Sequence, residues 1–123
     1  MSKYETPTHG GMFDLSSIDS ELRAADAYAR EGHTARTLLR ADDLRIVAIV
    51  MKAGARMGEH HANATAAVHG LRGHVRLHLP DGTRDVRAGQ LLVLDRGIQH
   101  DVEAVINSAL LLTLAWPPGS QVA

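Results

Sequence analysis

Two glycine-to-histidine spacings constrain the fold of this chain more than any other feature. Gly54 precedes His60 and Gly89 precedes His100, and each pair brackets a short segment with the alternating polar and apolar residues of a β-strand. Six of the eight histidines lie between positions 60 and 100. Histidine is the commonest metal ligand and titrates near neutral pH, so two histidines at strand ends indicate a chemical site within an all-β domain.

Composition and charge exclude several classes of protein. A chain of 123 residues is one domain in length, and its 45% hydrophobic and 22% charged residues are typical of a globular protein. Lys plus Arg number 13 against 14 for Asp plus Glu, and aromatic residues make up 3%, so no nucleic-acid partner is expected. No apolar run reaches the length of a membrane span and no secretory signal precedes residue 13, which predicts a cytoplasmic protein without membrane contact. The chain has no cysteine, so any metal must be held by nitrogen or oxygen ligands. No nucleotide cofactor is expected.

The N-terminal part of the chain has helical periodicity. Ser16 and Ser17 are predicted to cap a helix whose apolar residues recur from Ile18 to Ala29, and Gly32 is predicted to end it. The helix is amphipathic, which suits a cover for one face of a sheet. We therefore divide the chain into an N-terminal arm and helix over 1–32, a β-barrel over 33–116 and a flexible tail over 117–123.

From His33 onward the period changes to two, as in β-strands. About eight short strands separated by turn residues are predicted, which is typical of a sandwich or barrel. The second strand, Leu44 to Met51, is apolar on both faces, so its outer face must be covered by the helix or by a second subunit. Together with the apolar segment Ala109 to Leu114, this strand predicts a homodimer.

The two spacings resemble the paired motifs of the cupin family. The first cupin motif consists of a glycine, two histidines with one residue between them, a glutamate and a closing glycine. Gly54, His60 and Gly73 match its first glycine, first histidine and last glycine. Gly89, Gly97 and His100 match the second motif. The resemblance covers roughly residues 38–116 and implies an all-β fold, a single cupin-type jelly-roll β-barrel with a short N-terminal helix, and a homodimer.

The resemblance also implies a site in the barrel mouth. In the family, three histidines and a glutamate hold a divalent metal, but here Ala62 and Ala66 occupy the positions of the second histidine and the glutamate. His60 and His100 remain, and His69 and His61 are candidates to complete a site for Fe, Ni, Zn or Mn.

Strand parity bears on these candidates. If Ala66 points into the barrel, His69 points out, because successive residues of a strand face opposite sides. A β-bulge would reverse that parity, and Gly70 and Gly58 are the residues that could mark one.

Two functions remain open from the sequence. In one, the barrel is a small-molecule-binding module with a site at His60 and His100, with or without a metal ion. Its ligand cavity is predicted to be lined by Ala62, Ala66, Val68, Leu92 and Leu94. In the other, the chain is a divalent-metal-dependent cupin enzyme, an oxidoreductase of the dioxygenase type or an isomerase, acting on a small organic substrate.

Overall fold

The computed structural model describes residues 10–60 and 63–117, with the backbone alone at positions 59 and 60. Nine strands follow two short helices. Their bounds are α1 Leu15–Arg23, α2 Asp26–Glu31, β1 His33–Arg40, β2 Leu44–Met51, β3 Arg56–His60, β4 Thr65–Arg72, β5 His74–Leu79, β6 Gly82–Arg87, β7 Leu91–Leu94, β8 His100–Ala104 and β9 Ser108–Ala115. The predicted all-β jelly-roll fold is confirmed. None of the helices in the described ranges has the length and hydrophobicity that crossing a bilayer requires.

The strands form two antiparallel sheets. The five-stranded sheet has the order β1-β2-β9-β4-β7, and the four-stranded sheet has the order β3-β8-β5-β6. Alternate residues of both sheets point into a shared apolar core, in which Met51, Leu77 and Leu110 are almost completely buried. Burial of such side chains is the main source of stability for a domain of this size.

The N-terminal segment forms two helices where one was predicted. The carboxylate of Asp14 caps α1 by accepting hydrogen bonds from the amides of Ser16 and Ser17 at 3.1 and 3.3 Å, so the cap lies before the two serines. The chain then leaves the helix at Ala25, whose backbone is extended. In an unbroken helix Tyr28 would lie about 120° around the axis from Leu22; the break brings both into one apolar cluster.

The helices cover the outer face of the five-stranded sheet. Ile18, Leu22 and Tyr28 pack against Ala48 and Val50 of β2, all of them buried. The outer face of the second strand is therefore covered by this chain's own helices, the first of the two covers considered from the sequence.

A bidentate ion pair fastens α1 to the sheet. The guanidinium of Arg72, at the end of β4, donates to both carboxylate oxygens of Asp19 at 2.8 and 3.0 Å. Burial opposes ionisation of Asp19, but the hydrogen bonds and charges of Arg72 and Arg23 outweigh it and lower the pKa of the carboxyl. The helix is thus held by a charged contact as well as by apolar packing.

One end of the barrel gathers the strand ends that matter for the site. β3 ends at residue 60, β5 ends at Leu79 and β8 begins at His100. At the same end, Thr65 at the start of β4 is paired with Ala115 at the end of β9. We call this end the mouth.

Candidate functional site

A β-bulge in β3 sets the position of residue 60. Met57 pairs with Val102 and His60 pairs with His100, so three steps along β3 correspond to two along β8. The extra residue falls at Gly58 or its neighbour, which is where a glycine tolerates an irregular backbone. In a regular strand, residue 60 would lie on the face opposite Met57; the bulge places both backbone positions in register with the inward-facing residues of β8.

His100 is the described imidazole at this position. Its residue is 9% exposed, and it lies on the same face of β8 as the buried Val102 and Ala104. The ring nitrogen Nδ1 lies 3.1 Å from the carbonyl oxygen of Ile98. Because a carbonyl oxygen only accepts, this hydrogen bond requires a proton on Nδ1, and in the neutral ring that leaves Nε2 as the acceptor.

A cavity of about 200 Å³ opens beside His100 at the mouth. Its lining comes from the end of β5 and the start of β8: His78, Leu79, Pro80, Gln99, His100 and Asp101. It therefore combines two imidazoles, an amide and a carboxylate with an apolar wall, a mixture suited to orienting a small polar group.

The charged groups around this cavity are already paired. His78 contacts Glu103 through Nε2 and Oε1 at 2.9 Å, and this hydrogen bond lowers the pKa of Glu103. Arg56 donates to the carboxylate of Asp101 at 2.8 Å. Two acidic side chains close to the site are thus each bound to a basic partner.

The predicted cavity residues fall into three groups. Leu92 and Leu94 line a second and larger cavity of about 450 Å³ next to the first. Ala66 and Val68 face the interior and are 4% and 1% exposed, packed into the core. Ala62 lies outside the described residues.

Of the two additional histidine candidates, the structure describes His69, and it lies away from the mouth site. His69 pairs with Leu91 on one side and Leu111 on the other, on the face of β4 opposite the buried Ala66 and Val68. The register shift in β4 comes after Gly70 and so leaves the parity of His69 unchanged. His61 lies outside the described residues.

The described donors do not fit a divalent metal ion. Catalytic sites for such ions typically use about three protein ligands, whereas the described residues contain no group of three or more His, Cys, Asp or Glu side chains arranged to hold one. The position where the family's glutamate would project inward carries the buried methyl group of Ala66. His100 is the one described histidine at the mouth that matches a family ligand.

The contribution of β5 to the site was not predicted from the sequence. His78 alternates with apolar residues, which indicates a solvated outer face, and it does lie there, paired with Glu103. It also stands just before the turn at Pro80 and opposite Asp101 in register, so it reaches the mouth as well. The turn after His78 was the available signal, because it places this residue at a strand end.

Comparisons by sequence family gave no match: neither a protein-family model nor a curated protein matches the chain. Solved structures do match. A conserved protein of unknown function from Streptococcus pyogenes is 27% identical with a TM-score of 0.75, covering 97% of this chain and 98% of its own.

Two further matches have printed descriptions that include the fold. A cupin superfamily protein from Desulfitobacterium hafniense is 16% identical with a TM-score of 0.72, over 91% of this chain and 95% of its own. An RmlC-like cupin from Desulfovibrio desulfuricans is 22% identical with a TM-score of 0.65, over 75% of this chain and 90% of its own. At these identities the similarity establishes the fold.

Proposed function

We propose that this chain, whose fold is that of a small RmlC-like cupin domain, is a small-molecule-binding module with its site at His60 and His100 in the barrel mouth. The observation that carries the proposal is the pairing of positions 60 and 100 across β3 and β8, next to a cavity of about 200 Å³. A ligand there would meet histidine at two strand ends and the polar groups of Gln99 and His78.

The residues at the family's ligand positions favour binding of an organic molecule over chemistry at a metal. Where the family has an inward carboxylate, this chain has Ala66, which lacks the negative charge that would compensate a divalent cation. With Nδ1 of His100 bonded to the carbonyl of Ile98, the neutral ring offers Nε2 as an acceptor, which would orient a donor group of an organic ligand without a metal ion.

One observation favours the alternative, a metal-dependent oxidoreductase or isomerase. The hydrogen bond from Nδ1 of His100 to the carbonyl of Ile98 fixes the tautomer that metal-binding histidines commonly use, with Nε2 as the electron-pair donor. Fe, Ni, Zn or Mn would then be held by His100, His60 and a donor outside the described residues.

The two functions are separated by what the purified protein carries. We expect native mass spectrometry of protein prepared without chelator to show an organic mass that is lost on denaturation, and elemental analysis to show substoichiometric transition metal. His100→Ala should reduce the organic adduct, whereas His69→Ala, a histidine on the outer face, should leave it unchanged. A stoichiometric metal ion that His100→Ala removes would support the enzyme instead, and its loss in His69→Ala as well would place His69 among the ligands.

The remaining partner assignments are part of the proposal. We propose a homodimer in the cytoplasm that binds neither nucleic acid nor membranes. The outer face of the five-stranded sheet keeps exposed apolar side chains beyond the helices, with Leu91 at 61% and Val93 at 57% exposure. Such a strip suits a contact between two copies of the chain.

A further inference from the structure

The larger cavity at the mouth lies between the open edges of the two sheets. β7 is the last strand of the five-stranded sheet and β6 the last strand of the four-stranded sheet. The cavity, about 450 Å³, is bounded by the β5–β6 hairpin on one side and by β7 with its following turn on the other. We call it the edge cleft; its lining is Leu79, Pro80, Asp81, Arg84, Leu92, Val93, Leu94, Asp95 and Ile98.

The edge cleft is mainly apolar and adjoins the cavity at His100. Leu79 and Pro80 line both cavities, so the two share one wall. Leu79, Leu92 and Leu94 also pack against the interior core, which makes the floor of the cleft an extension of that core. A molecule whose polar group lies beside His100 would therefore have the apolar edge cleft next to it.

Charge in and around the two cavities favours an uncharged occupant. Arg84 pairs with Asp81 at 3.3 Å at the rim of the edge cleft, and Arg56 pairs with Asp101 beside His100. These cations are therefore already matched by carboxylates, and Asp95 adds a further negative charge to the lining. An anionic ligand would meet this carboxylate, while the apolar walls would desolvate a cationic one.

We propose that the ligand of this site is an uncharged amphipathic molecule, with a hydroxyl group that donates a hydrogen bond to Nε2 of His100 and an aliphatic or alicyclic body that fills the edge cleft. This inference rests on the proposed function, since it supplies the chemical class of the molecule bound at His100.

The test is the chain-length dependence of binding by straight-chain primary alcohols. Each methylene that enters an apolar cleft should strengthen binding by about two- to fourfold. Calorimetric titration of the chain with 1-butanol, 1-hexanol and 1-octanol should show this increase, and octanoate and octylamine should bind more weakly than 1-octanol.

Matched variants locate the effect. Ile98→Asp places a charge in the cleft at a side chain that is 36% exposed, and it should abolish the gain with chain length. Val105→Asp places the same charge at a side chain that is 38% exposed at the opposite end of the barrel, and it should behave like the wild type. Ile98→Lys repeats the test with the opposite charge at the same side chain, in case Ile98→Asp does not fold. His100→Ala should weaken every alcohol by a similar factor and leave the chain-length dependence in place.

Distinct results would overturn this inference and the proposed function. Two results would refute binding of the ligand body in the edge cleft and leave the proposed function intact. One is binding that depends on His100 but is equally strong for all three alcohols, and the other is a chain-length dependence that persists in both cleft variants. Tighter binding of octanoate or octylamine than of 1-octanol would refute an uncharged ligand. Failure of every alcohol to bind would refute this inference, while the adducts seen by native mass spectrometry decide the proposed function independently.

Discussion

Strands β4 and β6 approach each other closely at Gly70, which predicts that Gly70→Ala destabilises the fold far more than Gly58→Ala does. A Cβ atom added at Gly70 would lie 2.2 Å from the carbonyl oxygen of Arg87, a backbone atom that cannot rotate away. The neighbouring backbones would have to separate by about 1 Å, because such contacts are essentially never shorter than 3.0 Å. That movement strains the hydrogen bonds that join Gly70 to Gln90 and Gly89 at 2.9 and 2.8 Å.

We expect Gly70→Ala to lower the free energy of unfolding by roughly 2–4 kcal/mol, from overpacking and weakened hydrogen bonds together. Gly58→Ala is the matched control, since Gly58 is also a strand glycine near a candidate site histidine, has no positive φ and has nothing within 4 Å of an added Cβ. It should be neutral or stabilising by up to about 1 kcal/mol, because alanine restricts the unfolded chain. Urea unfolding followed by circular dichroism measures both. Equal stability of the Gly70→Ala variant and the wild type would refute the close approach of Gly70 in β4 to the carbonyl of Arg87 in β6.

Three further predictions concern the framework and the assembly. Ser108→Ala should cost about 1–3 kcal/mol in urea unfolding, because the fully buried hydroxyl accepts a hydrogen bond from the His74 amide at 2.9 Å; an unchanged midpoint would contradict this. Asp19→Asn should cost about 1–2 kcal/mol at pH 7. Arg72 helps to lower the pKa of Asp19 in the folded protein, so the stability advantage of the wild type should be complete above pH 3.8 and disappear as the pH falls through the lower pKa of the folded state. A stability loss in Asp19→Asn that is independent of pH would show that charge is not the cause. Light scattering at micromolar concentration should find a dimer that Leu91→Lys weakens, and a wild-type monomer would exclude it.

The presence of most strands could be predicted from local chemistry, and a site in the barrel mouth was implied by the resemblance to cupins. Glycine turns and period-two alternation identify strand ends, and the two strands that carry His60 and His100 indeed pair at those residues. The outward placement of His69 also follows from parity, because β4 keeps a regular register from Thr65 to Gly70.

Other features depended on contacts that no local pattern contains. Gly58 marks a bulge, but whether the extra residue is accommodated depends on the pairing of Met57 with Val102 across the sheet. The helix break at Ala25 follows from the need to bury Tyr28 beside Leu22, a tertiary requirement. The edge cleft arises between strands of two different sheets, so its lining residues share no sequence spacing.

The arrangement of the two mouth histidines is tested most directly by a crystal structure of protein purified without chelator, with anomalous diffraction data. We expect the rings of His60 and His100 to face the same space, with density for an organic molecule between them and the edge cleft and no anomalous peak there. Rings on opposite faces of β3 and β8, or a strong anomalous peak coordinated by both, would contradict it.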